Sequence, residues 1–174
     1  MSDRQALRDL QARLATRLQD ARTGVSVAWL AVKAANRHFL LPLAQSGEIV
    51  PYTQPQGVPY AQAWFCGVTN IRGRLYGVVD FAAFIGESST QAAIGSEASV
   101  VTLNGALDLN SALRVDSLEG LRGADDFVSS TPTQQEHMPY MGSIFVDKSG
   151  VSWQEVNLRA LAQTPEFLNI SASY

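Results

Sequence analysis

Apolar positions recur at steps of three and four through the first 22 residues, and at steps of two after Gly24. Leu7, Leu10, Leu14 and Leu18 stand among Arg, Asp and Gln, a spacing that lines them on one face of a helix. Ser2 with Gln5 supplies a capping-box start and Gly24 a stop, so an amphipathic helix is predicted over 1–23. Such a face either packs on the chain's own domain or docks on a partner. It holds no aromatic residue, which makes it a poor interfacial membrane anchor.

Beyond Gly24 the pattern predicts short strands. Val25–Val32 reads as the first, a turn follows around Ala35–Arg37, and Phe39–Leu43 and Glu48–Val50 resume. Pro51, Pro55 and Pro59 predict an extended loop to about Gln62. The segment Gly67–Asp80 reads as a turn built on Asn70, Arg72 and Gly73, leading into a strand from Leu75 to Phe81 that ends near Gly86. Glu87–Ala98, rich in Ser, Thr, Ala and Gly, is a connection. Ser99–Leu103 and Leu107–Val115 read as a hairpin turning at Asn104-Gly105. Asp125–Pro139 reads as a second long loop. Met141–Val146 and Val151–Val156 form another hairpin around Asp147–Gly150, and a short helix from Leu158 to Leu161 stops near Pro165. Many short strands with frequent turns predict an all-β barrel or sandwich, not an α/β sheet.

At 174 residues the chain suffices for one domain, or two small subdomains sharing a core. Thirteen basic against 16 acidic residues leave a net charge of −3, which favours neither nucleic acid nor an anionic membrane surface. Cys66 is the only cysteine, so no internal disulfide is expected and a reducing compartment suits the chain. Its thiol is either a small apolar filler beside Phe65 or a reactive group. No signal-peptide run opens the sequence and nowhere do about 18 apolar residues stand together, so a soluble cytoplasmic protein is expected.

Candidate chemistry adds little. His38 and His137 lie far apart without further ligands at metal-binding spacing, so no metal site is expected. Gly67–Gly77 lacks the Lys-Ser/Thr of a phosphate loop, and no cofactor is implied. Asp125-Asp126 reads as a loop cap. Asp80, at a strand end, is expected to satisfy backbone donors or to pair with an arginine. No catalytic set emerges, and an enzyme is not expected. Arg72, a fixed guanidinium fork beside a glycine bend, reads as a recognition element.

Several of these residues, in order, resemble the CheW-like coupling proteins. Glu48-Ile49 matches that family's acidic-apolar pair. Pro59, Trp64, Gly67-Val68, Asn70, Arg72-Gly73 and Val78-Val79-Asp80 match its signature segment. Leu113–Gly120 is similar to its later strand, Tyr140–Asn157 to its last hairpin, and Leu158–Leu161 to its closing helix. Trp64, the leading helix and Phe167 resemble the PilI-like branch serving type IV pilus (twitching) systems. The resemblance implies two five-stranded β-barrels packed across a shared apolar seam, about 25–86 and 99–164 with strand exchange, preceded by the N-terminal helix. It implies a non-enzymatic adaptor that joins the cytoplasmic tip of a methyl-accepting chemoreceptor to the regulatory domain of a CheA-like histidine kinase. Such an adaptor is cytoplasmic and recruited to membrane-bound receptor arrays. Carried over residue by residue, the receptor interface falls on Gly67, Asn70, Arg72 and Gly73, and the kinase interface on Glu48, Ile49 and Val50, with Glu48 and Arg72 on separate faces. Arg72 either contacts a partner or pairs with a carboxylate of its own barrel, and Trp64 reads as a seam anchor. Ser46 and Phe81-Ala82 depart from the family pattern, which implies an altered partner surface. The competing class is a small β-barrel that binds a ligand or an oligonucleotide.

Overall fold

The structure, a computed structural model, describes residues 28–87, 95–133 and 135–172. The predicted helix over 1–23 lies outside the described residues. Eleven strands form among the described residues: β1 (Ala28–Ala34), β2 (Arg37–Pro42), β3 (Ser46–Pro51), β4 (Phe65–Ile71), β5 (Arg74–Asp80), β6 (Ser99–Leu103), β7 (Ser111–Val115), β8 (Ser117–Gly123), β9 (Phe127–Thr131), β10 (Met141–Asp147) and β11 (Ser152–Val156). Three short helices accompany them: α1 (Phe81–Phe84), α2 (Leu158–Ala162) and α3 (Pro165–Leu168).

Turn chemistry explains the tightest connections. β1 and β2 join through Ala35 and Asn36, at φ 49° and 60°, a two-residue turn whose handedness matches the strand twist. Asp116 accepts a hydrogen bond from the Ala35 N–H at 2.9 Å and holds it there. Asn157 caps α2 by accepting from the Ala160 N–H at 3.0 Å, and Pro165 opens α3, where its missing N–H is not needed.

The strands make two sheets. One runs β8-β1-β2-β11-β10-β9 and the other β3-β6-β7-β5-β4. Each takes strands from both sides of residues 88–94, and each contains one parallel pair, β2 with β11 and β5 with β7. The expectation of two closed five-stranded barrels is therefore corrected. The sheets have six and five strands, and backbone ladders close neither. In the first, β8 passes to β9 through a turn of 3-10 helix at Ala124–Asp126 rather than a hairpin, leaving the two as opposite edges. In the second, β3 and β4 are the edges.

Three apolar cores follow from the alternation of side chains. Leu30, Val32, Phe39 and Leu41 of the first sheet meet Val79, Val101, Leu113 and Val115 of the second in the central seam, capped by Phe81, Leu158, Leu161 and Phe167. The opposite faces of β1 and β2 carry Trp29, Ala31 and Leu40, which gather with Trp153, Phe127 and Phe145 inside the first sheet's own curl. Ile71, Val78, Val100 and Ala112 do the same inside the second. Strands β6 and β7 are buried at every position, the reason neither alternates strictly between apolar and polar residues. In contrast, β9 falls within the expected 125–139 loop. Only Phe127 of its five residues is shielded from solvent, so it carries no period to read.

Candidate functional site

The β4–β5 hairpin closes at the Ile71–Arg74 pair, so Arg72 and Gly73 alone form its turn. Both have positive φ, 49° and 85°. That suits Gly73, whereas Arg72 bears the left-handed cost of roughly 1–2 kcal/mol for a residue with a Cβ. Asn70 offsets part of it: its Oδ1 accepts from the Gly73 N–H at 2.9 Å. Gly67 lies buried further down β4. Its φ is +132°, and a Cβ there would stand 2.1 Å from the Gln56 carbonyl oxygen. Gln56 and Val68 exchange two backbone hydrogen bonds of 2.8 and 2.9 Å, so Gly67 lets the proline-rich loop lie against β4. Gly67 and Asn70 thus shape the edge, and Arg72 projects from it.

From that turn the Arg72 side chain reaches β3. Its Nε stands 2.8 Å from Glu48 Oε2, with the two side chains 80% and 43% exposed. The contact is an ion pair whose geometry stops short of a hydrogen bond, and Glu48 Oε2 itself is shielded from water. The Glu48 N–H donates to Thr102 Oγ1 at 2.7 Å, which fixes β3 against β6. Because β3 and β4 are opposite edges of one sheet, the sheet must curl until its edges face each other. Beneath the ion pair the curl leaves an open groove of about 250 Å³ lined by Val50, Pro51, Thr69, Asn70, Arg72 and Val100. Ile49 is exposed beside it. The expectation that Glu48 and Arg72 occupy separate faces is corrected, since the curl brings them together. Of the two readings of Arg72, pairing with a carboxylate of its own sheet is what the structure displays.

Below this edge sits a buried pair. Arg114 Nη2 donates to Asp80 Oδ2 at 2.6 Å, with the two residues 6% and 3% exposed. They are register partners in the parallel β5–β7 ladder. Asp80 Oδ1 also accepts from the Ala83 N–H at 3.3 Å and caps α1, and the guanidinium lies over the Tyr52 ring at 5.5 Å. Asp80 thus both satisfies a backbone donor and pairs with an arginine. Arg114 went unassigned in the sequence, although a single cation within a buried apolar run was the available signal. Cys66 lies half-buried against the core inside the second sheet, where burial pushes its thiol up, the nearby Arg114 charge opposing. That holds it in the neutral thiol form.

Trp64 stacks on Phe167 at 6.3 Å and meets Phe84 edge-on at 5.0 Å, tying the β4 approach to α1 and α3 in the central seam. The two departures from the family pattern point inward. The Ser46 hydroxyl donates to the Pro42 carbonyl at 2.9 Å, and Phe81 is fully buried edge-on to Phe39 at 5.0 Å. Both serve the core, so the expectation that they alter a partner surface is withdrawn. His38 lies 4.7 Å from Trp153, and among the described residues no three His, Cys, Asp or Glu side chains gather as metal ligands would. No described helix is long and apolar enough to cross a membrane.

A family model described as the CheW-like domain matches residues 28–166. Protein PilI of Pseudomonas aeruginosa is 26% identical over 142 residues, covering 80% of this chain and 77% of that protein. The crystal structure of the scaffolding protein TtCheW from Thermoanaerobacter tengcongensis has the same fold. It superposes with a TM-score of 0.62 at 13% identity over 76% of this chain and 89% of that one.

Proposed function

The chain belongs to the CheW-like domain family, and on that premise we propose that it is a non-enzymatic scaffold coupling a methyl-accepting chemoreceptor to a CheA-like histidine kinase. We place its output in type IV pilus twitching, a reading supported by the relationship to PilI. In this role the protein is cytoplasmic and is recruited to membrane-bound receptor arrays.

The observation that carries this reading is the curled edge of the five-stranded sheet. There Asn70 and Arg72 of the receptor-side candidates and Val50 of the kinase-side candidates line one groove, and Glu48 pairs with Arg72. Gly67 supports the edge from beneath. A shallow apolar strip beside two opposite charges offers burial together with orientation, the composition expected of a protein-docking surface. The exposed ion pair can be exchanged for intermolecular pairs at little cost, since such pairs contribute about 0–1 kcal/mol.

The test is co-elution of the purified chain with the kinase's regulatory domain, and of both with the receptor's cytoplasmic tip. Association at tens of micromolar is the expected result. Separate elution of well-folded components at that concentration would overturn direct coupling for that pair.

A further inference from the structure

Strands β2 and β11 run parallel with Gln154 beside Phe39, so their first residues, Arg37 and Ser152, stand together at the open end of the pair. Next to them the β10–β11 ladder breaks between Met141 and Ile144. Gln154 fills the break. Its Nε2 donates to the Gly142 carbonyl at 2.8 Å and the Glu155 carbonyl at 3.0 Å, with the Ser143 carbonyl behind at 3.5 Å. Both amide hydrogens are then committed, which fixes the orientation of the group. Its Oε1 meets no donor among the described residues, although Gln154 is only 5% exposed. A buried acceptor without a partner is uncommon, and this one is not sealed off. It opens into a cavity of about 250 Å³ lined by Asn36, Arg37, His38, Ile144, Ser152 and Gln154.

We propose that this cavity binds a small α-amino acid, its carboxylate forked by Arg37 and its ammonium donating to Gln154 Oε1. Three observations select that ligand. First, Arg37 is held at the rim by its Nη1 contact with Glu87 Oε1 at 3.0 Å and by the Phe39 ring, 5.2 Å from the guanidinium carbon. Most of its five-donor fork is left for a carboxylate. Second, the bare amide oxygen lies on the neighbouring strand and demands a donor. A plain carboxylate brings none, whereas an ammonium on the next carbon brings three. Glu87 also keeps the rim close to neutral, which favours a zwitterion over a multiply charged anion such as a phosphate ester. Third, the cavity is smaller than the roughly 300–1,000 Å³ that larger ligands occupy. Its aliphatic wall is Ile144 and the Ser152 hydroxyl adds a polar one, a setting for a side chain the size of alanine or serine.

The site belongs to the other sheet from the groove of the receptor–kinase reading, and its test needs neither partner. The full chain, labelled with nitrogen-15, is titrated with L-alanine and L-serine. The expected result is saturable shifts in the millimolar range at the Gln154 side-chain amide and the backbone amides of Arg37, Ile144 and Ser152. Acetate and methylammonium, each with one of the two charges, should bind roughly tenfold more weakly or worse. Arg37→Gln alters an exposed side chain and should weaken L-alanine by a similar factor while the other signals stay in place. It carries the test even if Gln154→Met, which also frees the Gly142 carbonyl, fails to fold. The proposal falls if no shift saturates, if the shifts lie elsewhere, or if Arg37→Gln binds L-alanine unchanged. It falls equally if acetate matches L-alanine, since the amide oxygen would then have no part, or if L-tryptophan does, since the cavity would then set no limit of size.

Discussion

Reversing the charges of Arg72 and Glu48, singly and together, separates bracing from docking at the curled edge. With Arg72 80% and Glu48 43% exposed, the pair contributes at most about 1 kcal/mol to stability. Arg72→Glu removes that contribution and sets two carboxylates facing each other. In water at about 4 Å their repulsion is roughly 1 kcal/mol, lowered further by salt and by the side chains swinging apart. The expected destabilisation is thus about 0.5–1.5 kcal/mol, read as a small fall in the urea midpoint followed by tryptophan fluorescence. Docking is another matter. Loss of one charge-assisted contact costs about 1.5–3 kcal/mol, or roughly 10- to 150-fold in affinity for the partner that uses it. In the Arg72→Glu/Glu48→Arg variant the pair is restored with opposite polarity. The stability loss should disappear, while receptor-dependent kinase activation should stay low. Recovery of activation in the swap would show that the pair only braces the sheet. Unchanged activation by a well-folded Arg72→Glu single variant, or a stability loss above about 3 kcal/mol, would refute the reasoning.

The buried pair should behave in the opposite way. Asp80→Asn keeps an oxygen to cap α1 but removes the carboxylate charge that faces the buried Arg114 guanidinium, and should cost about 3–5 kcal/mol in urea unfolding. Arg114→Met in the same chain should recover much of that loss, and additive losses would contradict it. Gly67→Ala should cost more than about 1 kcal/mol and speed amide exchange at Gln56 and Val68, because the methyl meets the Gln56 carbonyl. Gly73→Ala meets open space and should cost only the turn strain, without loosening that loop. Asp147 is held below the ordinary carboxylate range, first by the Trp153 indole N–H and then by the Val151 and Ser149 N–H groups. A lowered folded pKa means that its contribution is present above the ordinary range and lost as pH falls through the lowered value. The Trp153 indole proton signal should shift in that acid window, and Asp147→Asn should remove the shift.

Local chemistry was the legible part of this chain. The Ala35-Asn36 and Arg72-Gly73 turns, the hairpin at Asp147–Gly150 and the role of Asp80 follow from residues adjacent in sequence or from one buried charge needing a partner. The family motifs led to the expectation of Glu48 and Arg72 on separate faces, whereas the structure pairs them across one curled sheet. What the pattern concealed depends on curvature and on long-range pairing. Glu48 and Arg72 meet because a sheet bends its two edges together, and no alternation of apolar residues encodes how far it bends. Open sheets likewise look the same as closed barrels strand by strand, since closure is decided by whether edge backbones meet. β9 escaped because solvent covers most of its residues, and an edge strand with polar faces reads as loop.

The strand order also fixes a sequence of manufacture. The five-stranded sheet uses only residues 46–115 and can pair fully as soon as β7 is made, whereas β2 must wait for β11, near the end of synthesis, to fill its second side. Until then the apolar faces of β1 and β2 lack the strand that finishes their sheet. Such distant pairing is slow and exposes sticky surface meanwhile. Chains cut short before Val156 should therefore hold a formed second sheet beside an unfinished first one. They should be the species that chaperones and proteases find.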